Sequence, residues 1–105
     1  MIDDMLKLVG AVSGAMAGNY ESRCVALVKR EDNNGVGVST AWTDDMGFET
    51  ALLHSRVSPV ERYISREDAE KGHEKWVAFA ADTNNTEVVE LGYESLIEDE
   101  SVKIR

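Results

Sequence analysis

Ile64-Ser65-Arg66-Glu67-Asp68-Ala69-Glu70-Lys71-Gly72-His73-Glu74-Lys75-Trp76-Val77-Ala78-Phe79-Ala80 carries its own start signal, one apolar stripe and one charged stripe, and so specifies a helix. Ser65 stands at the N-cap position, where its hydroxyl accepts from the Asp68 amide while the Asp68 carboxylate reaches back as a short-armed capping box. Glu67 and Asp68 set negative charge against the positive end of the helix dipole. Ile64, just before the cap, is placed to staple onto Ala69. Ala69, Gly72, His73, Trp76, Val77 and Ala80 recur at the helical period on one face. Arg66, Glu67, Glu70, Lys71, Glu74 and Lys75 fill the other, with Glu67 one turn before Lys71. Gly72 costs about 1 kcal/mol relative to alanine inside a helix. A glycine on the inward face implies a close approach to a strand. The stretch reads as a packing helix over residues 65–81.

Upstream, the pattern changes to strands. Arg23 to Lys29 is apolar on both faces, as an inner strand is. Glu31-Asp32-Asn33-Asn34-Gly35 reads as a hairpin turn in which Asn34-Gly35 supplies positive φ. Val36, Val38, Thr40 and Trp42 then alternate with Gly37, Ser39 and Ala41, a strand whose small face could lie under the helix. After a second turn at Thr43-Asp44-Asp45-Met46-Gly47, Phe48, Thr50, Leu52 and His54 alternate with Glu49, Ala51 and Leu53. Arg56 to Ser58 turn the chain, Pro59 keeps the start of the next strand at an edge, and Val60 to Ile64 lead into the helix. Short connections between successive strands specify an antiparallel meander.

At the N-terminus, Ile2, Met5, Leu6, Val9, Val12 and Met16 recur at helical spacing, so Met1 to Gly18 reads as an amphipathic helix. Gly10, Gly14 and Gly18 lie on another face of it, a candidate association surface for a homo-oligomer. After the polar break from Asp82 to Thr86, Val89, Leu91 and Tyr93 alternate like a short fifth strand, while Val88, Leu96 and Ile97 keep a helical reading open. The expected fold is a single α+β domain over 1–105. It has an N-terminal helix (1–18), a four-stranded antiparallel meander with its packing helix (19–81), and an acidic C-terminal segment, strand or tail (82–105).

Composition narrows the function. One cysteine excludes an intramolecular disulfide, and no segment reaches the roughly 18 apolar residues of a membrane helix. Asp3 and Asp4 stand where a signal peptide carries basic residues, so the expected location is cytoplasmic. The net charge of −9 opposes direct binding to nucleic acid, whose affinity comes from lysine and arginine displacing counterions. It opposes anionic membranes equally, and favours a partner protein with a basic surface. Acid is concentrated between Asp82 and Glu100, where Asp82, Glu87, Glu90, Glu94, Glu98, Asp99 and Glu100 occur without a lysine or arginine. A solvated face is the plain reading of such a run; a docking surface for a basic groove is the sharper one.

Reactive groups are few. Cys24 lies in an apolar strand away from any helix start, the setting of a buried structural thiol. His54 and His73 match no metal-binding spacing, and His73 beside Trp76 reads as a packed, hydrogen-bonded histidine. Glu49 and Glu61 could face each other across adjacent strands as a carboxylate pair, or be matched by Arg23 and Arg62 as salt bridges. An enzyme built on Glu49, Glu61 and His73 requires those three to converge; otherwise no catalytic residue, cofactor or metal is expected.

Asn19-Tyr20-Glu21 with Arg23 and Val25, then Phe48-Glu49-Thr50, Glu61 and Tyr63, and finally Glu67 to Val77 with its Gly-His-x-x-Trp element resemble a group of short bacteriophage and prophage proteins of unassigned role. The likeness spans residues 19–80, so the acidic segment lies outside it. It implies a viral gene expressed inside a bacterium, and brings no catalytic residues with it. The expected function is therefore that of an acidic phage accessory protein that binds a host protein. A nucleic-acid-binding defence enzyme (a CRISPR effector or restriction nuclease) is the target such charge would suit, the acidic surface mimicking DNA. The alternative is a self-associating structural or regulatory phage protein.

Overall fold

The computed structural model describes residues 23–44, 47–92 and 99–105. The helix expected over Met1 to Gly18, and with it the candidate association surface, lies outside these residues. Strand β1 (Cys24–Val28) is followed by a turn of 3-10 helix (Arg30–Asp32), and then by β2 (Gly37–Thr43), β3 (Gly47–Leu53) and β4 (Val57–Tyr63). Helix α1 (Arg66–Ala81) follows, then β5 (Glu87–Glu90) and β6 (Glu100–Lys103). The first four strands form one antiparallel sheet in the order β1-β2-β3-β4, and β5 pairs with β6 in a second. The α+β meander and its packing helix are as the sequence predicts. A sixth strand, unforeseen, pairs with the fifth.

Helix α1 starts where its cap residue dictates: the Ser65 hydroxyl accepts from the Asp68 amide at 3.1 Å. The reciprocal bond from the Asp68 carboxylate is absent among the described residues. Ile64 does not staple onto Ala69, for it is 99% exposed while Ala69 is buried. The charged face is as read, with Lys71 within 3.3 Å of Glu67. At surface exposure such a pair adds only a few tenths of a kcal/mol.

The helix covers the large face of β2, not the small one. Val36, Val38, Leu52 and Val60 pack with Ala80, Trp76, Val77 and Phe79, and Val88 and Ile104 close the same cluster. The small-residue face carries Ala41, Ala51, Leu53 and Val57, with Cys24 and Leu27 packed against them. That cluster is also buried, so the sheet is apolar on both sides. Bulky β-branched residues and leucine supply more apolar area to the helix than Gly37, Ser39 and Ala41 could, which explains the choice of face. A register shift between Cys24 and Ala26 places Cys24 and Leu27 on one side of β1, although their odd spacing would set them on opposite sides of a regular strand.

The C-terminal end of α1 is closed from a distance. Asn33 Nδ2 lies 3.5 Å from the Val77 carbonyl, Asn85 Nδ2 donates to Phe79, Asn34 Nδ2 donates to Ala81, and the Arg105 guanidinium donates to Ala80. The carbonyls of Phe79, Ala80 and Ala81 are ones a helix end leaves unpaired, and α1 has no basic residue of its own in the last turn. The tail is held there as well, Ile104 donating its amide to Thr86 at 2.9 Å while its side chain is buried. Ile104→Ala is therefore expected to cost about 2–4 kcal/mol in urea unfolding. A cost indistinguishable from zero would show that the tail does not belong to the core.

Candidate functional site

A polar chain runs under α1 from its buried face to its edge. His73 Nδ1 lies 2.7 Å from Thr40 Oγ1, which lies 2.6 Å from Thr50 Oγ1. The Tyr63 hydroxyl is 3.1 Å from Thr50 Oγ1 and 2.9 Å from Glu61 Oε1. The same carboxylate oxygen accepts from Lys75 Nζ at 2.7 Å and Trp76 Nε1 at 2.9 Å. Burial alone would raise the Glu61 carboxyl pKa; hydrogen bonds from Lys75, Trp76 and Tyr63, with the charge of Lys75, outweigh it and hold the group below the usual range. Glu61 is thus ionised at neutral pH and can only accept.

That fact orients every proton in the chain. Tyr63 has one proton and gives it to Glu61, so it accepts from Thr50; Thr50 in turn accepts from Thr40, and Thr40 accepts from His73 Nδ1–H. The opposite direction would set two lone pairs against each other between Tyr63 and Glu61. His73 is accordingly the neutral Nδ1–H tautomer. Burial holds its pKa below 6.5, against a smaller opposing effect of Glu74. Burial, and the charge of Glu61, push the Tyr63 phenol well above its ordinary range.

Two local departures from regular structure assemble this cluster. Leu52 pairs with Ser58 and Ala51 with Pro59, but Thr50 pairs with Glu61 and Glu49 with Arg62, so one extra residue stands in β4 between them. This bulge puts Val60 and Glu61 on the same side of the sheet, beneath α1. Helix α1 admits Tyr63 because residue 72 is glycine: a Cβ there would lie 2.1 Å from the phenol oxygen. The close approach expected at Gly72 is thus to a side chain of β4.

The three residues of the enzyme alternative do not converge. Glu61 and His73 belong to the chain just described, whereas Glu49 pairs with Arg62 at 3.0 Å from the opposite face of the sheet. His73 is buried and hydrogen-bonded, as read from its place beside Trp76. Cys24 is half-buried rather than sealed. An open groove of about 470 Å³ borders Glu61, Tyr63, Ile64, Asp68, Lys71, Gly72 and Lys75, mixing both signs of charge. A second polar pair, His54 Nε2 and Ser58 Oγ at 2.7 Å, is buried between β3 and β4. Burial, with the charges of Arg56 and Arg30, lowers the His54 pKa. Sequence reading missed both the Thr40–Thr50 link and the His54–Ser58 pair. The threonines sit symmetrically about the β2–β3 turn, a signal that could have revealed the first.

The acidic segment divides. Asp82 Oδ1 accepts from the Asn84 amide and Asp99 Oδ1 from the Gly92 amide, both at 2.9 Å, so these two carboxylates shape local turns. Glu90 is ion-paired with Arg56. Glu87 and Glu100 are exposed strand residues without an ion pair among the described residues; Glu94 and Glu98 lie outside those residues. The strand expected on Val89, Leu91 and Tyr93 forms earlier, at Glu87–Glu90; Val88 is its buried residue and Val89 is 55% exposed. Beyond it, Leu91 donates its amide to the Pro59 carbonyl and Arg62 donates to the Gly92 carbonyl at 3.2 Å, joining the second sheet to the edge of β4. Among the described residues no group of three or more acids, histidines or cysteines is placed to hold a metal ion. No described helix is long and apolar enough to cross a membrane.

These features define an α+β domain with a polar cluster under its helix and an acidic two-stranded appendage. No protein-family model, curated protein or solved structure matches the chain.

Proposed function

We propose that this protein acts by binding a protein partner with a basic surface, as an acidic accessory factor of phage origin, and that the segment from Asp82 to Glu100 makes the contact. One observation supports this above the others. β5 and β6 set Glu90 directly across from Glu100, a like-charge pairing that destabilises a ladder. Seven acids and no base occupy that segment. Among the described residues Arg56 offsets Glu90 and Lys103 stands across from Glu87, while Glu100 has no ion pair, so the fold tolerates an acid excess there that stability does not require. A host enzyme that grips nucleic acid would present the matching basic groove.

The test is capture from bacterial lysate by the full chain and by a Glu87→Gln/Glu100→Gln variant, at low and high salt. Expected is a basic protein retained by the parent chain at low salt, released at high salt, and held less by the variant. Retention of no basic protein at low salt, or retention indifferent to both salt and variant, would overturn the reading. Recovery of this same chain as its own partner would favour self-association instead.

A further inference from the structure

We propose that Asn34–Gly35 is a site of spontaneous deamidation which the native fold holds shut, and which, once modified, cannot restore the closed end of α1. In the reaction the Gly35 nitrogen loses its proton and attacks Asn34 Cγ. A new N–Cγ bond forms, the Cγ–Nδ2 bond breaks, and Nδ2 leaves as ammonia. Water then opens the cyclic imide at either carbonyl, giving aspartate or isoaspartate. Asparagine followed by glycine is the sequence most open to this chemistry, because no side chain crowds the attacking nitrogen. The same holds in the folded protein, where a Cβ built at Gly35 would meet nothing within 4 Å.

The protection is therefore one of hydrogen bonding. The Gly35 N–H, which must be lost for attack, donates to the Arg30 carbonyl at 2.9 Å, and Arg30 Nε returns a bond to the Gly35 carbonyl at 3.0 Å. The Asn34 amide is drawn away, donating through Nδ2 to the Ala81 carbonyl at 2.7 Å. Asn34 itself is held at φ 57°. Arg105 braces the same corner, donating to the Asn85 carbonyl at 2.7 Å and to Ala80. Opening this corner frees the nucleophile and the electrophile together.

The product is not equivalent. A carboxylate at position 34 has no N–H to give to Ala81, and it sets negative charge against the negative end of the helix dipole. Isoaspartate adds a carbon to a turn already closed by six backbone and side-chain bonds in Lys29–Val36. Either product leaves the corner open, so each modification favours further opening.

Peptide mapping by mass spectrometry, on the full chain held at mildly alkaline pH, tests this with Asn33, Asn84 and Asn85 as internal comparators. Expected is slow conversion at Asn34 in the native chain, conversion at least about tenfold faster in urea, and an intermediate rate in Arg105→Ala. Urea midpoints should fall in the order parent, Asn34→Gly, Asn34→Asp, since glycine keeps the backbone conformation without the charge. Equal rates at Asn34 in native and unfolded chains, or an Asn34→Asp midpoint matching the parent, would overturn the proposal.

Discussion

Gly72→Ala should destabilise the protein by about 2–3 kcal/mol, although helix propensity alone favours alanine by about 1 kcal/mol. The new Cβ would fall 2.1 Å from the Tyr63 oxygen, 2.3 Å from Cζ and 2.4 Å from Cε1. An unrestrained phenol could swing aside at little cost, but this one lies between Thr50 and Glu61, hydrogen-bonded to both. Displacing it leaves the Thr50 hydroxyl proton without its acceptor in a buried setting, at about 1–3 kcal/mol for the unsatisfied group. Tyr63→Phe should relieve the clash only in part, because Cζ and Cε1 remain although the bonds that hold the ring are gone. Tyr63→Leu should relieve it in full, and in that background Gly72→Ala should become neutral or stabilising. Urea unfolding of the four-member cycle measures the coupling, expected near 2 kcal/mol. A stabilised Gly72→Ala single variant would show that the ring is not held as described.

Acid should weaken the fold in two stages. His54 and His73 both have folded pKa values below the 6.5 of a solvated imidazole, in each case chiefly through burial. The unfolded chain then binds more protons as pH falls through that value. Their contribution to stability is therefore complete above about 6.5 and is lost as pH drops from there toward the folded values. Glu61 is lowered from 4.5, so its contribution persists to more acid pH and is lost as pH falls below that figure toward its folded value. The urea midpoint should decline steadily from about pH 7 to about pH 5, with His73→Gln and His54→Gln each removing part of that slope. A midpoint flat across that range would contradict neutral, sheltered imidazoles at both positions.

Most of the frame was legible, because periodicity reports it directly. Helix α1, its cap and the order of the meander follow from alternation, spacing and turn residues. The site was less legible, and β4 shows why. Glu49 and Glu61 would be direct partners if the register of Leu52 with Ser58 continued; the extra residue instead brings Arg62 opposite Glu49 and turns Glu61 beneath the helix. A bulge is a single uncompensated residue and leaves no compositional trace. The face chosen by α1 was misread because small residues permit close approach, whereas burial rewards the large ones. Ile64 had the right type and position for a staple, yet contact with Ala69 depends on how the chain leaves β4, which local pattern does not encode. The β5–β6 pairing joins segments nine residues apart that are each too short to show a period.

The far-reaching closure of α1 also bears on how the polypeptide is made. A helix whose final carbonyls are claimed by Asn34, already synthesised, and by Asn85 and Arg105, not yet synthesised, can be wound early but not finished. During translation its last turn should stay frayed until Arg105 leaves the ribosome. Completion would then wait for residue 105, so that a chain truncated before it would be exposed to proteases at that unfinished turn.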